Sequence, residues 1–384
     1  MTPRSITGIP SKIDTKGNVA AIQRMSVSSY FSADYPEARD KFLSSCAALD
    51  LPVESHLNPN AKGAQFEDLF MDVARIGAKT TSKVLFLMSG THGVEGYCGS
   101  GIQIGFLRER YFADLPDDLS VVLVHAMNPY GFSHDRRVNE DNVDLNRNFR
   151  DFAASDLPQS DYSKIHAHIL PEDWDGPARS AANKQLALFI EEHGMRTFQT
   201  AVSGGQYQHA DGVFYGGNRP TWSNKTFRRV VHDHAMNAET VGFLDFHTGL
   251  GPYGYGELIS LGSLNQKSFA RDWFGDEVTD PDAGTSSSAP VTGTVGHGVA
   301  EVLSDANIAF IALEYGTRDL TRVLTALRAD NWLYHKGDMS SDLGRSIKTE
   351  VRDAFYPDEE SWKEMIWTRA SEVTSKALKG LAEA

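Results

Sequence analysis

Cysteine is nearly absent. Two residues, Cys46 and Cys98, stand among 384, too few and too far apart to staple a disulfide framework. No Lys/Arg-rich run stands out and the formal net charge is −14. That argues against nucleic acid or an anionic membrane as partner and for a solvated acidic surface. No apolar run reaches the roughly 20 residues needed to span a bilayer. Residues 1–24 lack the apolar stretch of a signal peptide. They read as a flexible extension ahead of one domain over 25–384, from which a cytoplasmic location follows. Two catalytic signatures are also missing. The glycine-rich loop from Gly204 to Gly217 is not closed by Gly-Lys-Ser/Thr, so it is no phosphate loop. No Gly-x-Ser-x-Gly elbow follows an expected strand, which sets a serine esterase aside.

What is present is a repeating alternation. Hydrophobic residues make up 41% of the chain, ample for a sizeable core. Short apolar runs at 84–88, 119–125, 241–246 and 308–313 read as buried strands. Val53–His56 and Phe66–Arg75 read as edge strands. Helical patterns fall over Tyr35–Leu49, with Asp34 as cap and Pro36 in the first turn, and over Ala178–Thr200, Asn224–Asn237, Leu264–Phe274, Gly296–Ala306, Leu320–Tyr334, Asp342–Ala354 and Glu359–Leu381. Residues 150–177 read as connection, and 279–293 as a loop long enough to form a lid. Strands alternating with helices predict the α/β class: a mostly parallel, mixed sheet with helices on both faces, in three layers.

Polar residues of chemical use follow all four buried strands. His92 and Glu95 follow the first, in Ser89-Gly90-Thr91-His92-Gly93-Val94-Glu95-Gly96. The second leads into Arg136-Arg137-Val138-Asn139-Glu140-Asp141-Asn142-Val143-Asp144-Leu145-Asn146-Arg147. His247 follows the third and Glu314 the fourth. Parallel strands put these ends on one sheet edge, where open α/β sheets bind ligands. His92, Glu95 and His247 make a two-histidine, one-carboxylate set, which on zinc leaves a fourth position open, as in catalytic sites. Glu314 is the candidate general base, with Glu257 as rival. Arg136, Arg137 and Arg147 form a cationic group able to stabilise an oxyanion and grip a carboxylate. The plain alternative for these arginines is salt bridging to Glu140, Asp141 and Asp144. Asp144, Asp245 and Cys98 are spare donors for a second metal, although Cys98 reads better as a small core residue.

These motifs resemble those of the zinc carboxypeptidase superfamily, which includes succinylglutamate desuccinylases and aspartoacylases. His92-Gly93-Val94-Glu95 matches its first two ligands and Asn128-Pro129-Tyr130-Gly131 its Asn-Pro-Asp-Gly turn. Val143-Asp144-Leu145-Asn146-Arg147-Asn148-Phe149 matches its carboxylate-binding motif, Asp245-Phe246-His247-Thr248 the third-ligand strand, and Leu313-Glu314-Tyr315-Gly316 the general-base strand. The order is the family's, over roughly residues 80–320. The resemblance implies a carboxypeptidase-like α/β/α sheet, one zinc at His92, Glu95 and His247, and amide hydrolysis by a metal-activated water with Glu314 as base. Asn146 and Arg147 would hold a free carboxylate, and Arg137 or Arg136 would polarise the scissile carbonyl. The mobile tyrosine of the digestive enzymes has no counterpart over Ala289–His297. The expected substrate is a small molecule or peptide with a free carboxylate, cleaved either as by a carboxypeptidase or as by an N-acyl-amino-acid deacylase. A non-catalytic metal- or ligand-binding protein is the alternative of another class. The sequence is silent on oligomeric state.

Overall fold

Side chains along the strand Lys83–Met88 alternate between two apolar clusters. Leu85 and Leu87 join one, while Val84, Phe86 and Met88 join the other. This is the period-two pattern of a strand buried on both faces. The computed structural model describes residues 26–154 and 160–384, so the extension expected over 1–24 lies outside the described residues.

The strands are β1 (Val53–Leu57), β2 (Phe70–Ile76), β3 (Lys83–Met88), β4 (Leu119–His125), β5 (Thr240–Tyr253), β6 (Gly256–Ile259), β7 (Val278–Thr279) and β8 (Asn307–Gly316). They form one sheet in the order β1-β2-β4-β3-β5-β8-β6-β7. The central four, β4-β3-β5-β8, are parallel. Antiparallel pairings of β2 with β4, β1 with β2 and β6 with β8 flank them, so the sheet is mixed.

The helices are α1 (Tyr35–Ala47), α2 (Gly96–Arg108), α3 (Pro129–Ser133), α4 (Tyr162–Ile169), α5 (Pro177–His193), α6 (Met195–Ser203), α7 (Trp222–Ala235), α8 (Leu264–Phe274), α9 (Val295–Val302), α10 (Leu320–Lys336), α11 (Asp342–Phe355) and α12 (Glu360–Glu383). Asp34 caps α1 as expected, accepting from Glu37 N–H at 2.9 Å. Helices α1, α2, α8 and α12 bury Phe42, Ile102, Phe106, Phe274, Trp362 and Ile366 on one face of the sheet. Helices α7 and α9 bury Phe227, Val231 and Val299 on the other. Each such side chain contributes about 1.5–3 kcal/mol on leaving water. A third cluster joins α4, α5, α6, α10 and α11 through Ile165, Leu186, Phe198, Leu327 and Val351. It includes Val94, just past the carboxyl end of β3, so these helices close over that edge of the sheet.

Local differences from expectation have local causes. The helix expected over 178–200 is two, α5 and α6, because Gly194 takes φ +84°, which ends a helical run. The connection over 150–177 contains α4, whose eight residues include only two strongly apolar ones, Ile165 and Ile169. The strand expected from Phe66 begins at Phe70, since Phe66 has φ +64° and is 88% exposed. No helix among the described residues is long and apolar enough to cross a membrane.

Candidate metal centre and its cavity

The ends of β3, β5 and β8 lie in register. Met88 stands beside Asp245, and His247 beside Glu314. The sheet therefore delivers His247 and Glu314 as neighbours on one rung. His92 and Glu95 reach them from the turn after β3, which main-chain bonds pin from Arg137 and Arg136: Gly93 N–H donates to Arg137 O at 3.1 Å and Val94 N–H to Arg136 O at 2.9 Å. A Cβ on Gly93 would sit 2.0 Å from the backbone carbon of Gly131, so only glycine allows this approach.

Three donors converge. His247 Nδ1 lies 3.1 Å from His92 Nδ1 and 3.1 Å from Glu95 Oε2, and His92 Nδ1 lies 3.0 Å from Glu95 Oε1. The outer ring nitrogens face carboxylates. His92 Nε2 is 3.0 Å from Asp144 Oδ1, and His247 Nε2 is 2.8 Å from Asp245 Oδ2. An ionised carboxylate only accepts, so His247 carries a proton on Nε2, whereas His92 Nε2 faces both Asp144 and the Arg137 Nη2 donor, 2.8 Å away. The two Nδ1 atoms and a carboxylate this close repel unless a proton or a metal ion lies among them. Donors on a tetrahedral ion with bonds of about 2.0–2.1 Å stand roughly 3.3 Å apart. The set fits one small divalent cation, with Asp144 and Asp245 as the outer carboxylates that hold each imidazole in place. Asp245 is in turn fixed by Thr91 Oγ1 at 2.8 Å, and Glu95 Oε2 accepts from Thr248 N–H at 3.1 Å.

Electrostatics separate the two glutamates. Burial raises Glu95, but His92, His247 and Arg137 outweigh it and hold the carboxyl well below its usual range. Glu314 is pushed up to about 7, chiefly by burial and then by the charge of Glu95, with Leu250 N–H at 2.9 Å pulling the other way. Neighbouring carboxyls driven apart in this way take different roles. Burial depresses His247, yet Asp245 and Glu95 overcome that and raise it well above an ordinary imidazole. Positive charge is favoured at this point.

The loop Arg136–Arg147 is buried rather than solvated, and its two adjacent arginines part company. Arg137 donates from Nη1 to Glu95 at 2.9 Å and from Nε to Asp144 at 3.0 Å, and its Nη2 lies 2.8 Å from His92 Nε2. Arg136 turns away. It donates from Nε to Asp330 at 3.0 Å and from Nη2 to Asn142 at 3.0 Å, with Tyr334 stacked 3.7 Å beneath it. Arg136 therefore does not join the cavity beside the donors, and the structure brings Arg137 alone of the two to it. The two side chains thus leave the same stretch of loop toward different partners. Arg147 donates only to backbone oxygens, Ser203 O at 2.6 Å from Nη2 and Asn146 O at 2.8 Å from Nη1. Burial lowers its pKa and Asp144 partly restores it. Asn146 Oδ1 accepts from Val295 N–H at 3.0 Å. That bond turns the amide so that its amino group is left to donate. Glu257, the rival base, instead accepts from Thr279 and Ser287 and ties down the loop over 279–293. Cys98 is a buried free thiol.

His92, Arg137, Asn146, Arg147, His247 and Glu314 line one cavity of about 350 Å³. Apolar side chains of α5, α6 and α10 form much of the rest, among them Leu186, Ile190, Phe198, Leu324 and Leu327. The sequence reading missed Phe214. It lies under Arg137 at 4.9 Å and Arg147 at 5.6 Å, and its φ of +53° is a strained conformation for an aromatic residue. Its position inside the glycine-rich loop 204–217 was the available signal.

A family model described as "Protein of unknown function (DUF2817)" matches residues 31–369. No curated protein matches the sequence. Among solved structures, the chain is similar to bovine thrombin-activatable fibrinolysis inhibitor in complex with tick carboxypeptidase inhibitor. The identity is 13% over 92% of this chain and 99% of that one, with a TM-score of 0.47. It is also similar to carboxypeptidase A from Helicoverpa armigera, at 13% identity over 85% and 74% of the two chains and TM-score 0.42. A metallo-carboxypeptidase from Burkholderia cenocepacia follows at 12% identity, 89% and 71% coverage and TM-score 0.40. Likeness at this level transfers no residue role, so the site's own chemistry has to carry its function.

Proposed function

The chain belongs to that family, and we propose that it is a zinc-dependent hydrolase cleaving the amide bond of a small substrate that bears a free carboxylate. One observation carries the proposal: His92, Glu95 and His247 present three converging donors, and His92 and His247 line one cavity with Glu314. Zinc is the metal that two imidazoles and a carboxylate with one open position suit best, and when bound it supplies Lewis acidity for a water and a carbonyl.

The protein's own groups account for the remaining work. Glu314, with a pKa near 7, takes a proton from the water that attacks the carbonyl carbon. It then returns that proton to the nitrogen as the C–N bond breaks. Arg137 stands beside the donors with N–H groups to spare and stabilises negative charge developing on the carbonyl oxygen. Asn146 Nδ2 and the free N–H groups of Arg147 hold the substrate carboxylate. Asp144 and Asp245 keep the imidazoles oriented. A cavity of about 350 Å³ roofed by three helices favours an N-acyl amino acid or a very short peptide over a long chain.

Glu314→Gln tests the proposal. The zinc should remain at one per chain while kcat for N-acyl amino acids falls by a factor on the order of 10²–10⁴. Near-wild-type turnover by this variant would refute the role of Glu314. A wild-type protein that binds zinc and turns over no N-acyl amino acid or short peptide would point instead to a binding protein.

A further inference from the structure

One wall of the cavity contains charge that the hydrolytic chemistry does not use. Arg328, on α10, is 6% exposed and lines the same cavity as His92 and Glu314. It donates from Nε to Ile169 O at 3.2 Å, from Nη2 to His168 O at 2.8 Å and from Nη1 to Asn183 Oδ1 at 3.0 Å. All three acceptors are neutral. Three of its five N–H groups are thus used, which leaves one on each terminal nitrogen to donate to a further acceptor. Arg179, on α5, lines the cavity as well. Its guanidinium lies 4.3 Å from the centre of the Trp174 ring, and that of Arg328 lies 5.6 Å from the same indole. The polar contact of Arg179 is a long one, 3.4 Å, to Trp174 O.

Neither guanidinium forms an ion pair among the described residues. The two repel, and after burial Arg179 is the next cause that brings Arg328 down to about 10. A plainer role exists for Arg328, since His168 and Ile169 offer the last carbonyls of α4 and a cation there caps the helix. The cap uses Nε and Nη2. It does not explain why a second cation, Arg179, stands on the same indole with no counter-charge. Arg328 is buried without a counter-charge and Arg179 beside it is only partly exposed, so an anion between them would compensate both.

We infer that Arg328 and Arg179, with Asn183 beside them, form a second anion-binding position in the cavity, and that the substrate carries a second anionic group. Leu186, Ile190, Leu324 and Leu327 line the cavity between the α5 and α10 walls, so the two anionic groups are joined by an apolar segment. Leu320 and Arg328 both line it, and eight residues at the helical rise set them about 12 Å apart along α10. The ligand class is an amide with a carboxylate on each arm, one held by Asn146 and Arg147 and the other by Arg328 and Arg179. The assignment of the first carboxylate rests on the proposed hydrolase; the second position does not.

Calorimetric titration of the full-length zinc-loaded protein tests this. The probes are a length series of α,ω-dicarboxylates, about six to twelve carbons to cover a cavity wall of that extent, each against the monocarboxylate of equal length. At least one dicarboxylate should bind about tenfold or more tightly than its monocarboxylate, the weight of one charge-assisted pair. Arg179→Gln, on a partly exposed helical site, should erase that gain and Arg179→Lys should keep part of it. Arg328→Gln should also erase it, provided its thermal melt stays cooperative. No gain at any length, or a gain untouched by Arg179→Gln, would overturn the inference and leave the hydrolase standing. A dicarboxylate gain in a protein that hydrolyses no amide would do the reverse.

Discussion

His92, Glu95 and His247 form one group of two imidazoles and a carboxylate; His166, His209 and Asp211 form another. The donor types are identical, and their surroundings differ in every respect that governs metal binding. In the first, the rings cross at 63° and all three residues are buried. In the second, the rings stack at 4.0 Å with only 23° between them, and Asp211 is exposed. Nearly parallel rings cannot aim in-plane lone pairs at one ion. The outer nitrogens of His92 and His247 are held by Asp144 and Asp245. By contrast, His166 Nδ1 is buried with no hydrogen-bond partner among the described residues, and His209 Nε2 meets Ser163 Oγ at 2.8 Å. Proximity of donors is common. What distinguishes a metal centre is a second layer that fixes each ring before the ion arrives.

The largest expected effect separates these groups outright. His247→Ala should lose zinc almost entirely in dialysed protein measured by elemental analysis, while His209→Ala should retain the wild-type content. Equal loss in both would erase the distinction.

A third buried histidine shows what burial does without a carboxylate in contact. His125 stacks on Phe42 at 4.5 Å and bonds Ser100 at 2.8 Å, and burial pushes it down to about 4. A depressed folded pKa contributes stability that is present above the unfolded value of about 6.5 and lost as pH falls through the folded one. Between pH 7 and pH 4, wild type should lose on the order of 3 kcal/mol more than His125→Gln in urea unfolding. Equal losses would place the acid sensitivity elsewhere. His247 is as deeply buried, yet Asp245 and Glu95 drive it the opposite way.

Asp245→Asn should weaken zinc about 10–100-fold in competition with a chelator, because an amide holds His247 less firmly than a carboxylate does. An unchanged affinity would remove the outer layer from the account. The smallest effect belongs to the exposed cluster: the His166–Asp211 contact, 3.3 Å long, should contribute less than about 1 kcal/mol by double-mutant cycle.

Much of the centre was legible in the residue order because strands are short-range objects. The apolar runs ending at Met88, Phe246 and Leu313 mark β3, β5 and β8, and parallel pairing then delivers His92, His247 and Glu314 to one edge. The sequence also identified Asp144 and Asp245, but as spare ligands; their positions on the outer nitrogens depend on ring orientation, which spacing does not encode. Arg136 and Arg137 were indistinguishable for the same reason, since adjacent residues differ only in the direction they face. Least legible was the wall of α5, α6 and α10. Its helices meet only through tertiary packing, so neither the cavity's apolar lining nor the Arg179–Arg328 pair has a sequence signature. The break at Gly194 after which α6 brings Ser203 O to Arg147 is one residue inside an otherwise continuous helical pattern.

Anomalous diffraction at the zinc absorption edge, from crystals of zinc-loaded protein, locates the metal among these donors. One peak is expected, bonded to His92 Nδ1, Glu95 and His247 Nδ1. A peak at His166 and His209, or none beside His92, would contradict the account.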